Sequence, residues 1–229
     1  MATSGTTSFD LNIDDIIQEA YERCGVRTNS GYDLKSARRS LNILFSEWGN
    51  RGVHLWKVEL KAQVLTAGTA TYDAPSNAND ILEAYISTTT TQDTNTNDVS
   101  LTKISRSEYA ALPNKGNRGQ PSQYYVDRQT TPTITLYQTP DASTYKCVKY
   151  YYLKRIEDAG AYTNQADVVF RFIPCMVAGL AYYLSLKRAP QLSQQSKLLY
   201  EDEIQRALTE DGQRTSVYIT PQTYYPRGV

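Results

Sequence analysis

The sequence predicts an α+β fold, in which helices from the N-terminal and C-terminal parts of the chain form one bundle and an antiparallel β-domain is inserted between them. Apolar residues recur at helical spacing in the first segment, alternate with polar residues in a long middle segment, and return to helical spacing afterwards. We expect a helical hairpin over residues 1–52, the β-domain over 53–160, a second helical pair over 161–212 and an extended C-terminal arm over 213–229.

The first helix is predicted to begin after Asn12, a residue type that caps helix N-termini, and to end before Gly25. Leu11 and Ile16 occupy the two positions of a hydrophobic staple across its first turn. Its apolar face consists of Ile13, Ile16, Ile17, Ala20 and Cys24. We therefore expect this face to lie in the bundle core.

A second helix is predicted to start near Ser30, which stands at capping-box spacing from Asp33, and to stop at the glycines between positions 49 and 52. Its apolar stripe consists of Leu34, Ala37, Leu41, Leu44, Phe45 and Trp48. The short glycine-containing turn between the two helices predicts a helical hairpin whose apolar faces meet.

From Val53 the apolar period changes to two over VHLWKVELKAQVLT, which is typical of a half-exposed strand. Further strands are predicted at Ile81–Ser87, Val99–Ile104, Gln123–Asp127, Thr133–Tyr137 and Tyr145–Leu153. Turn signals rich in Gly and Pro separate them. Together these segments predict the central antiparallel sheet.

Two connections in this region differ from ordinary turns. The polar stretch Thr88–Asp98 predicts a protruding hairpin tip or a mobile loop. Ser105 and Glu108 stand at capping-box spacing and predict a short helix, which Pro113 ends.

The basic loop NKGNRG follows that short helix and contains Lys115 and Arg118 among flexible glycines. These side chains could reach phosphates without reading bases, so contact with DNA or with a neighbouring subunit is one interpretation. A solvated loop is the other interpretation, because the formal net charge of the chain is zero.

The stretch DVVFRFIPCMVAGLAYYLSLKRAP is apolar on nearly all sides and predicts a buried helix with Pro174 in its first turn. Leu180 and Tyr183 belong to its predicted core positions. A more polar helix is predicted from about residue 191 to Asp211. The inner face of this last helix consists of Leu198, Tyr200, Ile204, Ala207 and Leu208.

The motifs of several enzyme classes are missing from the sequence. The single histidine, His54, lies in a strand pattern and cannot form a multi-histidine metal site. No CxxC, GxGxxG, P-loop or nucleophile-elbow motif occurs. The acidic clusters are Asp14 with Asp15, which suit a helix N-terminus, and Glu201 with Asp202 and Glu203, which suit a solvated helix face. We expect no catalytic residue, no metal and no cofactor.

The cysteines and the lengths of the apolar runs indicate the cellular compartment of the protein. Cys24, Cys147 and Cys175 are odd in number, far apart and in apolar patterns, which predicts buried reduced thiols in a cytoplasmic setting. The first ten residues lack the features of an export signal, and no apolar run approaches the ~20 residues of a membrane span. We expect no membrane partner.

The arm SVYITPQTYYPRGV carries large side chains but belongs to no helix or sheet pattern. Ordering a residue costs about 1–2 kcal/mol and burying a large side chain contributes about 1.5–3 kcal/mol, so the arm also needs main-chain hydrogen bonds. Pairing with a strand edge of a partner would supply them. The predicted docking residues are Val217, Tyr218, Ile219, Tyr224, Tyr225 and Arg227.

Four stretches together resemble a known family. They are FDLNIDDIIQEAYERCG, GYDLKSARRSLNILFSEWGNRGVHLWKVE, PSQYYVDRQTTPTITLYQTPD and FIPCMVAGLAYYLSLKRAP. These phrases, and their order over most of the chain, resemble the head-to-tail adaptor proteins of short-tailed bacteriophages, also called tubular tail protein A. The phrases are architectural, and the family has no catalytic residues to carry over.

The resemblance implies a structural protein of the virion neck and tail, assembled in the host cytoplasm. Relatives form a ring of twelve copies that binds the portal protein, holds the tail nozzle protein and continues the channel for double-stranded DNA during ejection. The bundle helices around Leu41, Trp48, Leu180 and Tyr183 would form the rigid wall of this ring. The arm would be a docking element for the portal.

A second class of function stays open from the residues alone. Tyrosine is abundant, with 19 residues against four phenylalanines, and it suits surfaces that are partly wet and partly covered. The β-domain is therefore also interpretable as a glycan- or protein-binding module on an oligomerising helical base.

Overall fold

The computed structural model describes residues 11–27, 31–52, 55–92 and 97–211, together with Gly5 and Phe9. The α-helices of this part are α1 (Ile13–Arg23), α2 (Gly31–Arg51), α3 (Arg106–Ala111), α4 (Ile173–Arg188) and α5 (Ser193–Asp211). Short 3-10 turns cover Leu55–Lys57, Phe170–Phe172 and Pro190–Leu192. The prediction of an α+β fold is confirmed.

The strands in this part of the chain are β1 (Val58–Val64), β2 (Thr71–Asp73), β3 (Ala78–Ser87), β4 (Val99–Ile104), β5 (Arg118–Gly119), β6 (Gln123–Asp127), β7 (Thr133–Tyr137), β8 (Thr139–Pro140) and β9 (Cys147–Lys154). The predicted bounds of β4, β6 and β7 are confirmed. The short strands β2, β5 and β8 were not predicted, because two or three residues are too few to show a period of two.

Seven strands form one sheet in the order β1-β9-β3-β4-β6-β7-β2. Its edge strands β1 and β2 are consecutive in the chain and are joined by the short segment 65–70. The sheet must therefore curl until its two edges approach each other. The Tyr72 hydroxyl donates a hydrogen bond to the Thr69 carbonyl at 2.8 Å and stabilises this joining segment.

One strand pair departs from the predicted antiparallel pattern. β4 and β6 are parallel, with Thr102 opposite Gln123, whereas the other pairs of the seven-stranded sheet are antiparallel. Parallel neighbours need a crossover, and the α3 helix with the basic loop supplies it. The capping box predicted α3 but contains no information on the direction of the following strand.

The helix ends follow local chemistry. The Asp15 carboxylate accepts the Asn12 backbone N–H at 3.3 Å at the start of α1. The Ser105 hydroxyl and the Glu108 carboxylate exchange hydrogen bonds with each other's backbone N–H at 3.2 and 2.7 Å, so the predicted capping box of α3 is confirmed. Gly25, with φ of 68°, follows α1 in the left-handed conformation that glycine tolerates.

The segment before β1 corrects the prediction of a strand from Val53. His54 lies outside the described residues, Leu55–Lys57 is a 3-10 turn, and the strand begins only at Val58. Trp56 packs on Phe172 with ring centroids 4.7 Å apart, and the buried Lys57 ammonium pairs with Asp167. These contacts hold the segment against the bundle, and pairing of β1 with β9 begins only at Val58.

The described chain has two hydrophobic clusters that share no residue. The first joins α1, α2, α4 and α5, and α4 lies at its centre because it contacts the other three. At Gly179 an added Cβ would lie 2.8 Å from Leu44 Cδ1 and 2.9 Å from Tyr200 Cε2, so glycine permits this close approach. The second cluster fills the interior of the curled sheet, with Ile81, Ile134 and Tyr150 among its fully buried members.

Candidate interaction surfaces

The described residues contain no group of three or more histidine, cysteine or acidic side chains placed to hold a metal ion. Cys24, Cys147 and Cys175 are free and buried there. Burial raises the pKa of the Cys175 thiol to about 12, which keeps it protonated and a poor nucleophile. In the part of the chain that the structure covers, no helix is long and apolar enough to cross a membrane.

The predicted core residues of the bundle differ in burial. Ile16, Leu41, Trp48 and Leu180 are fully buried. Tyr183 is half-buried at the edge of the cluster, and its hydroxyl donates to the Glu47 carboxylate at 3.3 Å. The aromatic ring thus packs inward while the hydroxyl reaches a charged group at the surface.

A polar network joins α2 to α5 at this edge. The buried Tyr200 hydroxyl accepts the Trp48 indole N–H at 3.0 Å and donates to Glu47 at 3.0 Å. The Arg51 guanidinium makes a bidentate pair with Glu201 at 2.7 and 2.8 Å and also contacts Glu47 at 2.5 Å. Hydrogen bonding from Arg51 lowers the pKa of the Glu201 carboxyl. The network fixes the angle between the two helices.

The outer surface between α4 and α5 carries an apolar groove, which we call the α4–α5 groove. Its volume is about 460 Å³, and it is lined by Tyr182, Leu186, Ser193, Gln194, Lys197, Leu198 and Glu201. Leu186 is 50% exposed and Leu198 is 68% exposed. The expectation that Leu198 faces inward was wrong, because Tyr200, Ile204 and Ala207 occupy the inner face of α5 and Leu198 points elsewhere.

Lys115 has structural partners of its own, and Arg118 lies close to Gly68. The Lys115 ammonium donates to the carbonyls of Ala110 and Leu112, both at 2.9 Å, and so satisfies the C-terminal end of α3. Arg118 lies in β5, and its guanidinium packs close to Gly68. A side chain at position 68 would crowd it, since an added Cβ would lie 3.0 Å from the Arg118 Nη2 atom. The rest of both side chains is exposed to solvent.

Comparison with family models gives a match over nearly the whole chain. The model described as SU10 adaptor protein matches residues 6–223. The chain belongs to the SU10 adaptor protein family. This is a family of phage head-to-tail adaptors, as the resemblance implied. Comparison with curated proteins gives no significant match.

Membership assigns this adaptor a structural role in the virion and an interaction with other head-tail proteins. The family is not an enzyme class. The surfaces through which an adaptor acts are therefore the exposed apolar and charged features of its fold.

The polar loop of the adaptor between β3 and β4 lies partly against the sheet. The Gln92 side chain donates to the Leu60 carbonyl at 2.8 Å. At the other end of the loop, Asp98 pairs with the buried Lys149 ammonium at 3.2 Å. Gln92 and Asp98, in the stretch predicted to be a protruding hairpin tip or a mobile loop, thus contact β1 and β9, while residues 93–96 lie outside the described part.

A polar cleft of about 380 Å³ separates the end of α2 from the sheet of the adaptor. Asp80 in this cleft binds Lys103 at 3.2 Å and also pairs with Arg128. Arg155 and Asn50 line the same cleft. The cleft has no signature in the sequence, because its residues come from four distant segments and form no local motif.

The arm of the adaptor, with Val217, Tyr218, Ile219, Tyr224, Tyr225 and Arg227, lies outside the described residues, which end at Asp211. Its proposed docking role therefore stays a prediction.

Proposed function

We propose that this adaptor forms a ring that joins the portal protein to the tail nozzle protein and continues the DNA channel between them. The observation that carries the proposal is the family match over residues 6–223. The proposal includes a division of the chain into three parts. These are a bundle made from 1–52 and 161–212, an inserted β-domain of 53–160 and an arm of 213–229. Two separate hydrophobic clusters support that division.

In the proposed ring, the α4–α5 groove binds the neighbouring copy. Leu186 and Leu198 leave half or more of their surface exposed in the single chain. Burying the remaining exposed surface of each against a neighbour would contribute about 1–2 kcal/mol. A contact of one patch with a different patch on the next copy closes into a ring when the rotation permits.

Ring formation is tested by replacing Leu186→Glu and Leu198→Glu together in the full chain. We expect the double variant to fold as the wild type but to form no ring with portal protein, as seen by electron microscopy and sedimentation. Tyr32→Glu is the matched control, because Tyr32 is 67% exposed on α2 and does not line the groove. Rings of wild-type size from the double variant would refute the assignment of this groove.

Docking to the portal is proposed for the arm. Tyr224→Ser with Tyr225→Ser removes both aromatic anchors, and we expect at least about tenfold weaker binding to purified portal protein. Tyr32→Ser serves as the control for loss of an exposed tyrosine. Unchanged portal affinity of the double variant would remove the arm from the portal interface, while the groove test above would still stand.

For the basic loop we propose contact with the passing DNA or with a neighbouring subunit. Lys115→Glu with Arg118→Glu should lower genome retention in assembled particles if both side chains face the channel. The control is Arg27→Glu with Lys35→Glu, which reverses two exposed charges on the bundle. Normal retention with normal assembly would exclude the channel position.

The glycan-binding alternative has less support. Tyr72, Tyr124, Tyr150 and Tyr152 are buried in the interior of the sheet, which leaves the half-buried and exposed tyrosines, such as the pair Tyr85 and Tyr151, as candidates for an aromatic platform. A glycan array with the full chain would test it, and strong selective binding would favour it.

A further inference from the structure

A second groove lies between α1 and the start of α4, and we call it the α1–α4 groove. Its volume is about 470 Å³, and it is lined by Phe9, Leu11, Asp15, Gln18, Glu19, Glu22, Arg23, Ile173, Pro174 and Val177. One wall is apolar and the other is acidic. Phe9 on the apolar wall is 59% exposed, so this wall presents apolar surface to solvent.

The acidic wall comes from one face of α1. Asp15, Glu19 and Glu22 recur at intervals of four and three residues and are exposed. Arg23 pairs with Glu19 at 2.9 Å, so this wall keeps an excess of negative charge. A fitting occupant would combine apolar or aromatic side chains with a positive charge.

The arm has this composition. Residues 212–229 contain Arg214 and Arg227 and no acidic side chain, and Tyr224, Tyr225 and Pro226 directly precede Arg227. The segment 1–8 fits less well, since Met1 is its one large apolar residue and it has no lysine or arginine. Chemical complementarity therefore favours the arm over the N-terminal segment as the occupant of the groove.

The point from which the arm departs lies near the groove. Asp211, the last described residue, pairs with Arg171, whose Nε donates to the Asp211 carboxylate at 2.8 Å. Ile173, two positions after Arg171, lines the groove. The eleven residues 212–222 can span up to about 36 Å when extended, so the aromatic part of the arm can reach the groove of its own chain.

We infer that the α1–α4 groove binds residues 223–227 of the same chain, with Tyr224 and Tyr225 on the apolar wall and Arg227 on the acidic wall. A tethered segment binds at high effective concentration, so a weak contact suffices. The contact holds the arm in the free subunit, and a partner that takes the arm uncovers the groove at the same time. The inference concerns the free chain and does not depend on which protein takes the arm.

The test uses the full chain with a photo-crosslinking phenylalanine derivative in place of Tyr225. We expect crosslinks to peptides from α1 and from the first turn of α4, in a product of single-chain mass. Arg227→Glu should lower the yield at least about threefold, and adding Glu22→Lys should restore it, because the charge pair is then reversed. Arg227→Glu changes only the arm, so it cannot act by unfolding the bundle.

Ile173→Glu should lower the crosslink yield as well, whereas Leu199→Glu is the control, since Leu199 is 58% exposed and does not line the groove. Crosslinks that map elsewhere, or that Arg227→Glu and Ile173→Glu leave unchanged, would overturn the inference. Products of double mass whose yield rises with protein concentration would assign the groove to the arm of a second copy and would overturn the intrachain contact.

Discussion

Tyr200 in the bundle and Tyr150 in the sheet are both buried, yet their hydroxyl groups have different surroundings. The Tyr200 hydroxyl accepts from Trp48 and donates to Glu47. The Tyr150 hydroxyl has no hydrogen-bond partner among the described residues, and its ring makes an edge contact with Tyr152 at 6.3 Å between centroids. Burial raises the pKa of both side chains.

This difference shows how the two regions obtain their specificity. The bundle joins separate helices through a polar network, so the angle between α2 and α5 depends on directional bonds. The sheet obtains its geometry mainly from ladder hydrogen bonds, and at its centre the Tyr150 side chain contributes volume and apolar area. Changes of a single group should therefore have larger effects in the bundle network than at the Tyr150 hydroxyl.

The largest effect is expected for Trp48→Ala. Trp48 is fully buried and its ring lies 5.9 Å from Phe45 and 5.7 Å from Phe172. The cavity and the lost area should lower the free energy of unfolding by about 3–5 kcal/mol, measured by urea denaturation. Tyr32→Ala, at an exposed position, should change it little. A loss below about 1 kcal/mol would mean that Trp48 is not central to the bundle.

An intermediate effect is expected for Tyr200→Phe. The change keeps the ring but leaves the Trp48 indole N–H and the Glu47 carboxylate without this partner. The free energy of unfolding should fall by about 1–3 kcal/mol. Amide exchange should show whether the loss is confined to α2 and α5, and faster exchange in β3 and β9 as well would contradict the separation of the two regions.

A smaller effect is expected for Glu201→Gln, which weakens the pair with Arg51. The side chains are 37% and 31% exposed, so solvent screens the pair and the loss at neutral pH should be below about 1 kcal/mol. The pKa of Glu201 is lowered from 4.5 in the folded chain. Its contribution is therefore complete above pH 4.5 and is lost as the pH falls through the lowered pKa.

Urea denaturation of the wild type and of Glu201→Gln at several pH values checks this sign. The difference between the two proteins should be largest near neutral pH and should shrink in acid. A difference that grows on acidification would contradict the assigned pair.

The smallest effect is expected for Tyr150→Phe. The change removes a buried hydroxyl group that has no partner among the described residues. Because an unpaired buried polar group costs free energy, its removal should leave the free energy of unfolding unchanged or raise it by up to about 1–3 kcal/mol. A loss above about 1 kcal/mol would show that the hydroxyl is hydrogen-bonded after all, and would remove the contrast with Tyr200.

The sequence determined those features that depend on neighbouring residues. The capping box of Ser105 and Glu108, the glycine after α1 and the ends of β4, β6 and β7 follow from side chains within a few positions. The order of the segments also sufficed to indicate the family, which the match over residues 6–223 shows. Local propensity and periodicity depend on residues that are close in the sequence, so they predict helices, strands and caps without knowledge of the fold.

Only the tertiary structure decided how distant segments meet. Trp48 and Tyr200 are 152 positions apart, and their hydrogen bond appears in no local pattern. The parallel pairing of β4 with β6, the outward position of Leu198 and the 3-10 turn at Leu55–Lys57 likewise depend on competing long-range contacts. The physical reason is that a side chain is buried by contacts from several helices or strands. The face of an element that packs best against those neighbours is the one that turns inward.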